Sequence, residues 1–211
     1  MINKINICSY FTVIAFLILF VDLPFALLVN SITSDNVRGV FSGITKLAEP
    51  ISLITMTFVI YGYHYVFENM NLEELWTKFL IQMQVIFYSS IFIQALKYLF
   101  GRYRLKIFFE SGDYGFSFMN SFGYANSSFP SGHSSIIFTF VTIVMLLFPI
   151  KSWKIKLSVY LFASIVAFSR VMVNAHYISD VIVGCCLGYI LSVCVYRYKN
   201  GLQINFIKKE R

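Results

Sequence analysis

Long apolar runs separated by short polar breaks organise this chain, and six of them cover residues 10–30, 51–67, 79–100, 134–150, 155–172 and 178–196. A helix rises about 1.5 Å per residue, so roughly 20 residues cross a hydrocarbon core of about 30 Å. The runs therefore predict six membrane-spanning helices with little mass outside the bilayer. Residues 101–132 are too rich in glycine, serine and other breakers to add a span. From Arg102 to Phe129 that stretch carries Phe108, Phe109, Tyr114, Phe116, Phe118, Phe122, Tyr124 and Phe129, and it is expected to rest as a loop in the headgroup layer. No repeat, low-complexity run or linker divides the chain. The expected architecture is one all-α domain over residues 1–211, an integral-membrane six-helix bundle.

Composition agrees with the pattern. Of 211 residues, 58% are hydrophobic, 18% aromatic and only 13% charged, far from the balance of a soluble domain. Lys4 precedes the first apolar run, as in a signal peptide. The run is about twice the usual length of such a core, however, and no small-residue cleavage site follows it, so it is read as a retained helix. Cys8, Cys185, Cys186 and Cys194 fall in or beside spans without metal-type spacing and are read as packing residues.

The net charge of +7 would suggest a nucleic-acid partner in a soluble protein, but here the cations sort by membrane side. With a cytoplasmic N-terminus, the inner side collects Lys4, Lys78, Lys151, Lys154, Lys156, Arg197, Lys199, Lys208, Lys209 and Arg211. The outer side keeps seven, of which Lys97, Arg104 and Arg170 belong to a motif cluster, leaving ten against four. The expected partner is the lipid bilayer, with no nucleic acid, and both termini are expected on the cytoplasmic side.

Counting spans also brings the chemistry together. Lys97 ends the third helix, Arg104 follows, and His133 opens the fourth. Two further spans return Arg170 to the same face, and a short turn leads to His176 and Asp180. All six meet on one side of the membrane, external in this orientation. A phosphate ester repels nucleophiles through its own anionic oxygens, so its cleavage needs fixed positive charge, an in-line nucleophile and an acid for the leaving oxygen. Lys97, Arg104 and Arg170 supply charge, the arginines as planar forks. Ser131 and Gly132 precede a helix whose free N–H groups favour an anion. His176 and Asp180 lie four residues apart, so the carboxylate can hold one ring nitrogen while the other faces phosphorus. His133 is then free to act as general acid. A phosphohistidine intermediate and its hydrolysis would follow. The scheme requires no metal and no cofactor.

These residues resemble the type 2 phosphatidic acid phosphatase family, whose superfamily also includes vanadium haloperoxidases. Its motifs are a Lys with an Arg seven later followed by Pro, then Pro-Ser-Gly-His, then Ser-Arg with five residues to His and three more to Asp. They correspond to Lys97 and Arg104, to Pro130–His133, and to Ser169, Arg170, His176 and Asp180. The resemblance covers roughly residues 97–197. It implies His176 as nucleophile, Asp180 as its partner, His133 as acid, and Lys97, Arg104, Arg170, Ser131 and Gly132 as the phosphate cradle. Leu105 stands where the family usually has Pro and is expected to loosen the loop. Asp22, outside the motifs, could bind a headgroup, but solvation or a helix partner is the simpler expectation. The implied activity is a phosphatase for a membrane lipid phosphate at the outer face of a bacterial inner membrane. Substrates suggested by the family are lipid A phosphate, undecaprenyl pyrophosphate, phosphatidylglycerophosphate and phosphatidate, and the compact chain slightly favours the first two, with the others as alternatives. Transfer to another lipid hydroxyl, and a non-enzymatic transporter or scaffold, are the competing readings.

Overall fold

A computed structural model describes residues 4–119 and 123–209. Phe122 and Arg211, and the side chains of Lys4, Cys8, Lys208 and Lys209, lie outside the described residues. The helices are α1 (Lys4–Phe16), α2 (Asp22–Ile32), α3 (Asp35–Thr45), α4 (Pro50–Phe67), α5 (Leu72–Phe100), α6 (Leu105–Ser111), α7 (Gly132–Leu147), α8 (Trp153–Met172) and α9 (Ile178–Lys209). Five stretches are long and apolar enough to cross a membrane, and α7 is a sixth, shorter apolar helix. The chain is thus an all-α membrane protein, and each predicted run matches a helix.

Three departures from the sequence reading bear on function. The first run is one rod of α1 and α2 joined through a π-helical segment, Leu17–Val21. That register change ends at Asp22, which is fully buried. The connection between α2 and α4 contains α3, with Val37 and Val40 exposed. The expected loop 102–129 contains α6, bracketed by Gly101 and Gly112 in the left-handed conformation. Leu105 is the first residue of α6 and has no exposed surface, packing with Ala26, Tyr177 and Phe108. The loosening expected of this residue is therefore absent. The backbone at the first helical position suits Pro, and Leu satisfies the same position by burial.

The 16-residue α7 lies at the centre, with Ile137, Phe140, Val141 and Ile143 buried against α5, α8 and α9. Large apolar side chains such as Phe11, Ile51, Phe58 and Phe67 point outward, as a lipid environment requires. Lipid tails are as apolar as leucine, so helices in a bilayer gain most from close backbone approach at small residues. Gly184 and Gly188, one turn apart on α9, provide that approach against Ser131 and Ser135 of α7. A Cβ on Gly184 would stand 2.6 Å from the Ser131 carbonyl oxygen. We expect Gly184→Val to force α7 and α9 apart and to cost about 2 kcal/mol, read as a fall of roughly 5 °C in the thermal midpoint of the detergent-solubilised protein.

Candidate active site

The site is built at the end of α5. Gly101 closes the helix, its N–H donating to the Lys97 carbonyl at 2.9 Å. A Cβ at Gly101 would overlap the Ser117 carbonyl, so the turn requires glycine. Beyond it, Arg104 N donates to Ala125 O and Ser128 N to Arg102 O, pinning residues 124–128 beside the helix end. Lys97 Nζ donates to Ser127 O at 2.6 Å. Arg104 Nε donates to Tyr124 O at 2.8 Å, and its guanidinium lies 4.0 Å from the Tyr124 ring centroid.

Two helix ends face this clamp. Ser131 caps α7, its hydroxyl oxygen accepting from Ser134 N at 3.4 Å and from the Ser134 hydroxyl at 2.8 Å. Its own N–H donates to Asp180 O at 3.0 Å. The Ser131 amide is therefore engaged with α9, and the free amides at this helix start come after it. The amides of the next two residues, Gly132 and His133, have no acceptor among the described residues, because the first turn of a helix offers none. Gly132 sits against the Lys97 side chain, where an added Cβ would be 3.6 Å from Cε. Arg170, in the last turn of α8, donates from Nη1 to Thr45 at 2.9 Å, and its buried Nε has no partner among the described residues. The Arg170 carbonyl accepts from both Ala175 N and His176 N, which folds the chain back and sets His176 beside the cations. Ser169 is buried and donates to Val166 O at 2.6 Å. The His133 ring feels the charges of Arg170, Lys97 and Arg104, and no hydrogen bond to it is present among the described residues.

His176 is 1% exposed. Its Nδ1 lies 3.5 Å from Asp180 Oδ2 and 3.3 Å from Ser128 Oγ. The Ser128 hydroxyl donates to Asp180 Oδ2 at 2.6 Å, and Tyr177 N donates to the same oxygen at 3.1 Å. With both neighbours accepting, the ring proton belongs on Nδ1, and Nε2 keeps its lone pair on the opposite edge. Burial pushes the His176 pKa well below the ordinary imidazole range. Asp180 opposes that shift, and Lys97 and Arg104 add to it.

The other oxygen of Asp180 leads to a feature the sequence reading missed. Arg102 Nη1 donates to Asp180 Oδ1 at 2.6 Å and to Ser179 Oγ at 2.9 Å, and Nη2 donates to Asp22 Oδ2 at 2.8 Å. All three charged side chains have no exposed surface. Asp22 also accepts from the Ser179 backbone at 2.9 Å and from its hydroxyl at 2.5 Å. The guanidinium stacks 4.2 Å from the Tyr177 ring and 5.2 Å from Phe116. Burial disfavours the Arg102 charge, but Asp180 and Asp22 more than offset this and raise its pKa above the usual arginine value.

A family model of the PAP2 superfamily matches residues 78–203, more than half of the chain. The chain belongs to the PAP2 superfamily. Over 108 residues it is 31% identical to a lipid A 1-phosphatase of Porphyromonas gingivalis, covering 48% of this chain and 24% of that protein. Over 105 residues it is 39% identical to a lipid A 1-phosphatase of Rhizobium etli, covering 49% and 42%. The chain thus matches less than half the length of these relatives. The fold is similar to the crystal structure of Aquifex aeolicus LpxE, with a TM-score of 0.62 and 21% identity over 84% of this chain and 95% of that one. A transmembrane PAP2 type phosphatidylglycerolphosphate phosphatase from Bacillus subtilis gives a TM-score of 0.60 and 19% identity over 95% and 98%.

In this PAP2 chain Lys97, Arg104, His133, Arg170, His176 and Asp180 all converge at one end of the bundle. Asp22 has a helix partner and is not solvated. Its signal was available, since a carboxylate inside an apolar run demands a buried cation. Ser128 gave no signal, because a serine in a polar loop is ordinary.

Removing one member of a buried ion pair leaves an uncompensated charge costing about 3–5 kcal/mol. Arg102→Gln, which strands two carboxylates, is therefore expected to destabilise far more than Asp22→Asn, which leaves Arg102 paired with Asp180; thermal unfolding of both variants in one detergent checks the order. For His176, a folded pKa below the unfolded value of about 6.5 means stability is full above that pH and declines as pH falls through it. Ring resonances of labelled His176 are expected to stay those of neutral imidazole from pH 8 to 5.

Proposed function

We propose that this protein is a metal-independent PAP2 lipid phosphatase that cleaves a phosphate from a membrane lipid through a phosphohistidine. The observation that carries the reading is the His176–Ser128–Asp180 contact set, which holds Nδ1 and leaves Nε2 free in a ring that feels the charges of Lys97 and Arg104. In this mechanism Lys97, Arg104 and Arg170, with the Gly132 and His133 amides, hold the phosphoryl oxygens. Nε2 of His176 attacks phosphorus as the bond to the leaving oxygen breaks, and His133 gives that oxygen a proton. The developing imidazolium is stabilised by Asp180. Neutral His133 then takes a proton from water, whose oxygen attacks the phosphohistidine and releases phosphate.

Fixed side-chain cations supply the electrostatic stabilisation, so the mechanism assigns no role to a metal ion. Ser131 acts in it as a helix cap that positions the Gly132 and His133 amides. The matched relatives are named for lipid A 1-phosphate cleavage, which favours a lipid A phosphate over undecaprenyl pyrophosphate. The charge distribution supports a site on the outer face of a bacterial inner membrane with both termini inside.

Purified protein presented with a panel of lipid phosphates is expected to release phosphate, most rapidly from a lipid A phosphate. His176→Ala is expected to lower the rate by on the order of 10³-fold or more while still inserting and folding. Near-normal turnover by that variant would overturn the mechanism. Label from a lipid phosphate appearing on another lipid's hydroxyl, rather than as inorganic phosphate, would identify transfer instead of hydrolysis.

A further inference from the structure

A second polar cavity of about 500 Å³ adjoins the site and has no part in the proposed catalytic steps. It is lined by Asn30, Arg38, Lys106, Phe109, Tyr124 and Asn174, with Val173 and Ala175 beside them. Two of these residues also border the catalytic cluster. Tyr124 stacks on the Arg104 guanidinium and accepts from its Nε, and Asn174 lies on the short chain between Arg170 and His176. The cavity therefore shares a wall residue with Arg104 and a chain segment with Arg170 and His176.

The cavity wall is pre-organised for an anion with hydroxyl neighbours. Arg38, on α3, is fixed by donating from Nη2 to Asn30 O at 3.0 Å and to Asn30 Oδ1 at 2.6 Å. Asn174 Nδ2 donates to the same Oδ1 at 2.6 Å. These bonds hold Arg38 in place without neutralising it. Among the described residues its buried Nε has no acceptor, and Oδ1 of Asn174, a residue nine-tenths buried, has no donor. Buried polar groups left unmatched are costly, so a ligand that supplies both a donor and an acceptor gains from both. Lys106 adds a second cation, and among the described residues it pairs with the exposed Glu110 at 3.6 Å and no carboxylate lines the cavity.

We propose that this cavity binds a second phosphate of the substrate's polar head, together with adjacent hydroxyls, and so selects substrates by what lies beside the scissile phosphate. The inference rests on the phosphatase reading above. A second phosphate could belong to a bisphosphorylated glycolipid or to a polyisoprenyl diphosphate, and the same residues would meet either.

The test compares wild type, Arg38→Ala, Lys106→Ala and Arg38→Lys on four substrates. These are a bisphosphorylated glycolipid, its monophosphorylated counterpart, a polyisoprenyl diphosphate and its monophosphate. Arg38→Ala is expected to raise KM roughly tenfold for a substrate bearing the second phosphate, with kcat little changed and the monophosphates unaffected. Arg38→Lys is expected to recover part of the loss through charge alone. A rise confined to the bisphosphorylated glycolipid identifies a sugar-linked phosphate, and one confined to the polyisoprenyl diphosphate identifies a directly linked one. Equal effects on bisphosphorylated and monophosphorylated substrates, or none on any, would overturn the proposal. If wild type releases phosphate from none of the four, the phosphatase reading has failed. The cavity is then judged by retention of bisphosphorylated glycolipid in native mass spectrometry, where equal retention by wild type and Arg38→Ala refutes it.

Discussion

A guanidinium with no exposed surface lies between two carboxylates that have none either, and the end of the bundle that carries the motifs is assembled around it. Arg102 joins Asp22 of the first helical rod to Asp180 of the last helix, across 80 and 78 positions in the chain. Each ion would be expensive alone in a dry interior, and together they are tolerable only because the geometry leaves every carboxylate oxygen with a donor. That requirement ties α2, the loop after α5 and the start of α9 to one arrangement. It also decides what Asp180 can do. One of its oxygens belongs to Arg102, so only the other remains for Ser128, Tyr177 N and His176.

The consequence for the proposed chemistry is a nucleophile whose orientation is set from two layers behind it. His176 is held through Asp180, which is held through Arg102, which is held through Asp22. The π-helical segment before Asp22 belongs to the same construction: Tyr114 donates to the Ile18 carbonyl within it, while Phe116 stacks on Arg102. The loop over the site is thereby fastened to the first rod by side chains that also enclose the arginine.

Helix ends supply the rest. α5 delivers Lys97, α7 opens with two unoccupied amides, and α8 closes on Arg170. The approach of α9 to α7 at Gly184 and Gly188 brings the Asp180 carbonyl within reach of the Ser131 amide. A packing feature deep in the bundle thus sets the position of the helix start proposed to hold phosphate. The Arg38 cavity extends the same end sideways, through Asn174 on the segment that carries His176.

Much of this was legible in residue order. Hydropathy alone separates a membrane chain from a soluble one, because burial against lipid is a local property that 17 to 22 successive residues express by themselves. Counting those spans puts Lys97, Arg104, His133, Arg170, His176 and Asp180 on one face, since an alternation of crossings has only two sides. The burial of Leu105 and the engagement of the Ser131 amide were not legible, for a different reason. Whether a residue at a helix start is loose or buried, and whether its amide is free, depends on what another helix places against it. Asp22 and Arg102 lie at the limit of this division. The cost of a carboxylate in an apolar run announces that a partner exists, but the partner is 80 positions away, and only the tertiary fold brings the two charges together.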